Sequence, residues 1–94
     1  MALRLIVTFK ALPGKGQDFA GAFKGLAEIT HKEQGCEQYQ LFRALDNPDT
    51  LVLLERWTTQ VDLDKHLEDM RARGGLPTTP FNAGNPSFEQ YQVE

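Results

Sequence analysis

The chain has 94 residues, of which 40% are hydrophobic and 24% charged, with a formal net charge of −3. That length allows one domain, residues 1–94, and the balance is that of a globular chain rather than a disordered one; the mild acidity leaves no electrostatic footprint for nucleic acid. The one cysteine, Cys36, cannot close an internal disulfide, no apolar run approaches the ~18 residues of a membrane span, and Met1–Val7 turns polar too early for a secretory signal, so a cytoplasmic protein without membrane partners is expected.

Leu3, Leu5, Val7 and Phe9 alternate with Arg4, Ile6, Thr8 and Lys10, which predicts a strand over residues 2–10. Pro13-Gly14 breaks it. Phe19, Ala22, Phe23, Leu26 and Ile29 then recur at helical spacing, predicting an amphipathic helix over 16–34 with Gly35 as its C-terminal cap. Cys36–Arg43 reads as a second strand, with Glu37, Tyr39, Leu41 and Arg43 on one face. The cluster Asp46-Asn47-Pro48-Asp49 turns the chain into a third strand, Thr50–Trp57. Thr59-x-x-Asp62 fits a capping box for a second helix that carries Leu63, His66, Leu67 and Met70 at i, i+3, i+4 and i+7. Gly74-Gly75 stops that helix, residues 74–87 read as a loop, and Phe88–Val93 as a last strand.

The order βαββαβ predicts an α+β, ferredoxin-like fold: a four-stranded antiparallel sheet with two helices on one face. The first strand carries Ile6 opposite its main apolar face, and the third carries Val52 and Leu54 opposite Leu51, Leu53 and Trp57. Strands apolar on both faces are ordinarily covered on both, and a domain this small buries only roughly 60–70% of its unfolded surface. A homodimer packed sheet to sheet with two-fold symmetry is therefore expected.

Several residues stand out as candidates. His66 lies on the apolar stripe of the second helix, so it points toward the sheet, and imidazole is the side chain that titrates near neutrality. It serves either as a base or hydrogen-bond anchor facing a cavity, or as a buried histidine satisfied by a backbone carbonyl. Trp57 either walls a pocket, with its indole N–H free to orient a substrate oxygen, or simply packs the core. Glu55 shares the strand face of Trp57 and needs a partner if buried, with Arg43, Arg4 or His66 able to supply it. Tyr39, with Arg43 on the same face, could donate to a quinone or phenol oxygen, or be an ordinary half-buried tyrosine. Arg4, Phe42, Phe81 and Phe88 are further candidates to line a cavity, Phe81 being taken with Tyr39 and Arg43 as substrate-binding. Alternation alone does not decide which sheet face carries Glu55 and Trp57. His31 reads as exposed and Cys36 as a small apolar residue; two histidines and one cysteine lack metal-ligand spacing, and no phosphate-binding glycine motif is present.

Pro13-Gly14-Lys15, Gly35-Cys36-x-x-Tyr39, Glu55-x-Trp57 and His66, in this order and with the βαββαβ pattern, resemble the antibiotic biosynthesis monooxygenase family over residues 2 to about 93. The resemblance implies a dimeric α+β barrel with a pocket between sheet and helices in each subunit. Some similar proteins oxidise quinols, anthrones and related aromatic polyketides with molecular oxygen, using neither metal nor flavin. On that reading no cofactor is needed: His66 assists deprotonation or holds an oxygen, Trp57 and Tyr39 bracket or hydrogen-bond a small aromatic or quinone-like substrate, and Glu55 orients or charge-balances a neighbour. Haem-degrading relatives use an asparagine of the first strand, which residues 2–10 lack, although His66 leaves haem binding open. Leu51 and Leu53 stand on the face where the polyketide oxygenases carry polar residues. The same fold also accommodates an isomerase of a small metabolite, or a non-catalytic binding protein.

Overall fold

Alternation, helical periodicity and turn chemistry agree along nearly the whole chain, and the computed structural model, which describes residues 1–94, follows them. The elements are β1 (Ala2–Lys10), α1 (Gly16–Thr30), β2 (Cys36–Arg43), β3 (Thr50–Trp57), α2 (Gln60–Ala72), a short 3-10 helix (Thr79–Phe81) and β4 (Ser87–Val93). The strands form one four-stranded sheet in the order β2-β3-β1-β4, antiparallel throughout. Both helices cover one face, where Leu3, Leu5, Val7 and Phe9 of β1 and Leu51, Leu53 and Trp57 of β3 are buried against Phe19, Phe23 and Leu26 of α1 and Leu63 of α2. The register lays residues in rows across this face, one of which runs Tyr39–Glu55–Leu5–Gln90.

Three details depart from the sequence reading. α1 ends at Thr30, and its stripe is Phe19, Phe23, Leu26 and Thr30, while Ile29 faces solvent. A bulge between Cys36 and Gln38 takes Glu37 off the face of Tyr39. The displaced carboxylate accepts hydrogen bonds from Arg56 Nε at 3.0 Å and Thr58 Oγ1 at 2.9 Å. At the start of α2, Thr59 Oγ1 accepts from the Asp62 N–H at 3.1 Å, as an N-cap should, but the Asp62 carboxylate accepts from the Thr59 hydroxyl at 2.9 Å rather than reaching its backbone N–H.

Long-range contacts fix the helix ends. Lys15, at the N-cap of α1, offers no side-chain cap; Asp49, from the β2–β3 turn, accepts from Gly14 N and Gly16 N, each at 2.9 Å. Gly35 has φ +82, and a Cβ there would lie 2.2 Å from Asp62 Oδ2, so glycine is required both by backbone and by space. The segment after α2 is pinned across the end of β1: Leu12 N donates to Phe81 O at 2.8 Å and Ala83 N to Lys10 O at 2.7 Å. The sheet face opposite the helices carries half-buried Ile6, Val52 and Leu54, with Phe42 and Tyr91 exposed beside them. No helix is long and apolar enough to cross a membrane.

Gly35→Ala is expected to cost at least about 1–2 kcal/mol from the left-handed backbone alone, measurable as a lower urea midpoint. The backbone N–H groups of Gly14 and Gly16 hold the Asp49 carboxyl below its ordinary range. Its contribution is therefore present above the unfolded-state pKa and lost as pH falls through the folded-state value. Asp49→Ala should lower the melting temperature near neutral pH and converge on the unmodified chain in acid.

Candidate active site

The row Tyr39–Glu55–Leu5–Gln90 lies under α2, and the space between them is a cavity of about 290 Å³. Apolar side chains, among them Leu5, Val7, Leu53, Leu63 and Met70, make most of its wall. Glu55, Tyr39, His66, Gln60 and Gln90 supply the polar groups, the usual make-up of a small-molecule site. The face that carries Glu55 and Trp57 is thus the one that looks toward α2. Leu67 and Phe88 are among the lining side chains and also reach solvent, Phe88 with 67% of its surface. Gln90 Nε2 donates to Gln60 Oε1 at 3.2 Å, joining β4 to the first turn of α2.

His66 is 2% exposed and packed among aromatic rings. Its ring lies 4.7 Å from that of Trp57, tilted by 33°, and 5.4 Å from that of Tyr39, edge to face at 67°. Tyr39 in turn stacks on Phe23 at 5.5 Å. His66 Nδ1 lies 2.7 Å from Glu33 Oε1, on the turn that follows α1. Arg73 Nη2, past the end of α2, lies 3.7 Å from Glu33 Oε2. On this outer side the imidazole borders a second, polar basin of about 380 Å³ with Glu33, Gln34, Asp62, Lys65 and Asp69. One histidine therefore separates an apolar cavity from a polar one.

Trp57 is fully buried and lies behind the cavity rather than in its wall. Its indole Nε1 donates to Glu55 Oε1 at 2.9 Å, so the partner that a buried carboxylate needs is the tryptophan two residues on. Neither arginine supplies it: Arg4 Nη1 donates to Gln38 on the opposite sheet face, and Arg43 Nε donates to Pro48 O at 3.1 Å. Burial raises the Glu55 carboxyl above the ordinary carboxylate range, with the Trp57 hydrogen bond and the charge of His66 acting the other way. Burial also raises the Tyr39 phenol, with the charge of Glu55 adding to it. Both are thus held toward the protonated, hydrogen-bond-donating form.

Of the residues singled out from the sequence, Glu55, Tyr39 and His66 line one cavity and Trp57 supports it. Arg43 is exposed near the β2–β3 turn, and Phe81 packs half-buried in the 3-10 helix against the core, outside the cavity wall. Cys36 is pushed up to about 11 by burial and by the charges of Glu33 and Glu55, which suits a small apolar residue better than a nucleophile. Gln60, Gln90 and Glu33 were not anticipated. The first two were within reach, because Gln60 precedes Leu63 by three on α2 and Gln90 alternates with Phe88 on β4. Glu33 had no such signal, since only folding brings it to His66. No group of three or more His, Cys, Asp or Glu side chains is arranged to hold a metal ion.

Trp57→Phe should leave the Glu55 oxygen without its buried donor and cost about 1–3 kcal/mol, read from urea unfolding. A raised Glu55 keeps its proton in the folded chain at pH values where the unfolded chain has lost it, so stability falls as pH rises through that interval. Glu55→Gln, which keeps an acceptor for Trp57, should abolish that part of the decline.

The family model described as antibiotic biosynthesis monooxygenase matches residues 2–73. YcnE of Bacillus subtilis (strain 168), whose name is a provisional monooxygenase assignment, is 29% identical over 65 residues, covering 69% of this chain and 68% of YcnE. The crystal structure of a conserved protein from Methanosarcina mazei Go1 superposes with a TM-score of 0.89 at 28% identity, over 100% of this chain and 94% of that one. A protein from Caulobacter crescentus CB15, provisionally named an antibiotic biosynthesis monooxygenase, superposes with a TM-score of 0.83 at 29% identity, over 99% and 91% of the two chains. The fold and the matched span together establish that the chain belongs to the antibiotic biosynthesis monooxygenase family.

Proposed function

We propose that this protein is a cofactor-independent monooxygenase that oxidises a quinol-like or polyphenolic small molecule with molecular oxygen. The observation that carries the reading is the apolar cavity in which Glu55, Tyr39 and His66 converge. An imidazole there can take the proton of a substrate hydroxyl, while a phenol and a raised carboxyl can donate to substrate oxygens. Family membership and the name given to YcnE support the choice of oxygen as the co-substrate.

For a hydroquinone the reaction balances as quinol plus O2 giving hydroxyquinone plus water. His66 accepts the proton of a ring hydroxyl, and the electron pair left on the substrate makes the ring able to reduce oxygen. One oxygen atom ends on a ring carbon; the other leaves as water with two substrate hydrogens. The protein's part is to bind the ring, to move that proton and to keep bulk water out of the cavity, where unscreened electrostatic interactions are stronger. Cys36 and Arg43 take no part.

The sheet face opposite the helices is proposed as the seat of a second copy of the chain. Ile6 pairs with Leu54 across β1 and β3, and Phe42 with Val52 across β2 and β3, so these apolar side chains form a continuous band. Leu54→Lys should shift the sedimentation coefficient from dimer to monomer; a chain already monomeric at micromolar concentration would contradict the assignment.

Oxygen uptake with a panel of reduced quinones and anthrones tests the catalytic reading. Turnover should require oxygen, and His66→Ala should lower kcat about 10²–10⁴-fold, the usual contribution of a general base. Equal turnover without oxygen would make the protein an isomerase, and ligand-induced stabilisation without product would make it a binding protein.

A further inference from the structure

We infer that Glu33 is a positioning residue for His66, holding the imidazole with its proton on Nδ1 so that Nε2 is the atom that takes the substrate's proton. The inference rests on the oxygenase reading of the cavity and assigns a role to a residue outside its wall.

An ionised carboxylate can only accept, so at the 2.7 Å separation of Glu33 Oε1 and His66 Nδ1 the ring nitrogen is the donor. A neutral imidazole has a single N–H, and placing it on Nδ1 leaves the lone pair on Nε2. Glu33 is itself held, because its other oxygen faces Arg73 Nη2 at 3.7 Å. Arg73 is the C-cap residue of α2, seven residues after His66, so the helix presents the ring and its cap presents the cation that faces the carboxylate. The pair is graded in burial: the His66 side chain is 2% exposed and that of Glu33 17%. The carboxylate meets the polar basin alone, while the ring borders both the basin and the cavity.

When Nε2 takes the proton, the substrate O–H bond breaks, an N–H bond forms, and the electron pair stays on the substrate oxygen. The resulting imidazolium is hemmed by Trp57 and Tyr39, and the charged or titratable groups that reach it are Glu33, Tyr39 and Glu55. Arg73, Asp62, Lys65 and Asp69 face the outer side of the pair. Glu33, in direct contact and balanced by Arg73, is the group placed to stabilise the cation.

The test pairs Glu33→Gln, which preserves shape, with Glu33→Leu, and reads two independent signals. The first is the ring 15N shifts of His66 in the unliganded protein, assigned with a His31→Gln variant. The unmodified chain should show protonated Nδ1 and bare Nε2 when neutral, and Glu33→Leu should move the population toward Nε2–H. The second is turnover of a reduced quinone across pH. kcat should fall roughly a hundredfold in both variants with KM nearly unchanged, and the acid limb of the kcat profile should shift. Neutral His66 protonated on Nε2 in the unmodified chain, or a tautomer indifferent to Glu33→Leu, would overturn the positioning role. Absence of turnover by the unmodified chain would instead overturn the oxygenase reading, and with it the assignment of Nε2 as its base, while the 15N spectra still decide the tautomer.

Discussion

A carboxylate placed on a central strand of a small sheet, under a helix, is the constraint around which this molecule is organised. Glu55 sits between Tyr39 on β2 and Leu5 on β1, where water does not reach freely. Leaving such a group unpaired costs more than most single contacts return. The sequence answers with Trp57, two residues on and hence on the same face, whose indole N–H is the buried donor. Holding the indole there also places its ring against His66. One hydrogen bond thus ties the end of β3, the middle of α2 and the floor of the cavity into a single arrangement.

The imidazole stands between two carboxylates that differ in environment. Glu55, on the cavity side, is raised by burial, whereas Glu33, on the basin side, faces Arg73. One carboxyl is enclosed between sheet and helix, and the other borders the basin beside a cation. Here the division follows the helix: groups below α2 are shielded by the sheet, and groups beyond it meet solvent. The polar basin and the apolar cavity therefore meet at His66.

Most of the fold was legible because local and tertiary preferences agree. The strands at 2–10, 36–43 and 50–57 and the inward direction of His66 follow from periodicity alone. Where the reading slipped, a single residue shows why. Ile29 is as apolar as Leu26, but the stripe at intervals of four, three and four residues continues through Thr30 and leaves Ile29 outside. Glu37 obeys alternation on paper, and the bulge beside it cancels that alternation. Arg43 shares a face with Tyr39, yet four residues of strand carry it toward the β2–β3 turn, where Pro48 O takes its guanidinium. Glu33 was unreadable for a different reason: its partner is distant in sequence, and neither propensity nor spacing encodes a contact made by two separate turns of chain meeting at Gly35 and Asp62.

The position of β4 has a consequence for how such a protein diversifies. β4 is an edge strand, paired only with β1, and its side chains are largely exposed, yet Phe88 and Gln90 border the cavity. Replacements on an exposed edge perturb stability far less than replacements in a packed core. Glu55 and His66, by contrast, are locked into a central strand and a buried helix face. The folding cost of change at the rim is thereby uncoupled from the cost of change at the floor. A rim that tolerates change above a floor that does not lets the mouth of the cavity vary in shape while its floor keeps its geometry.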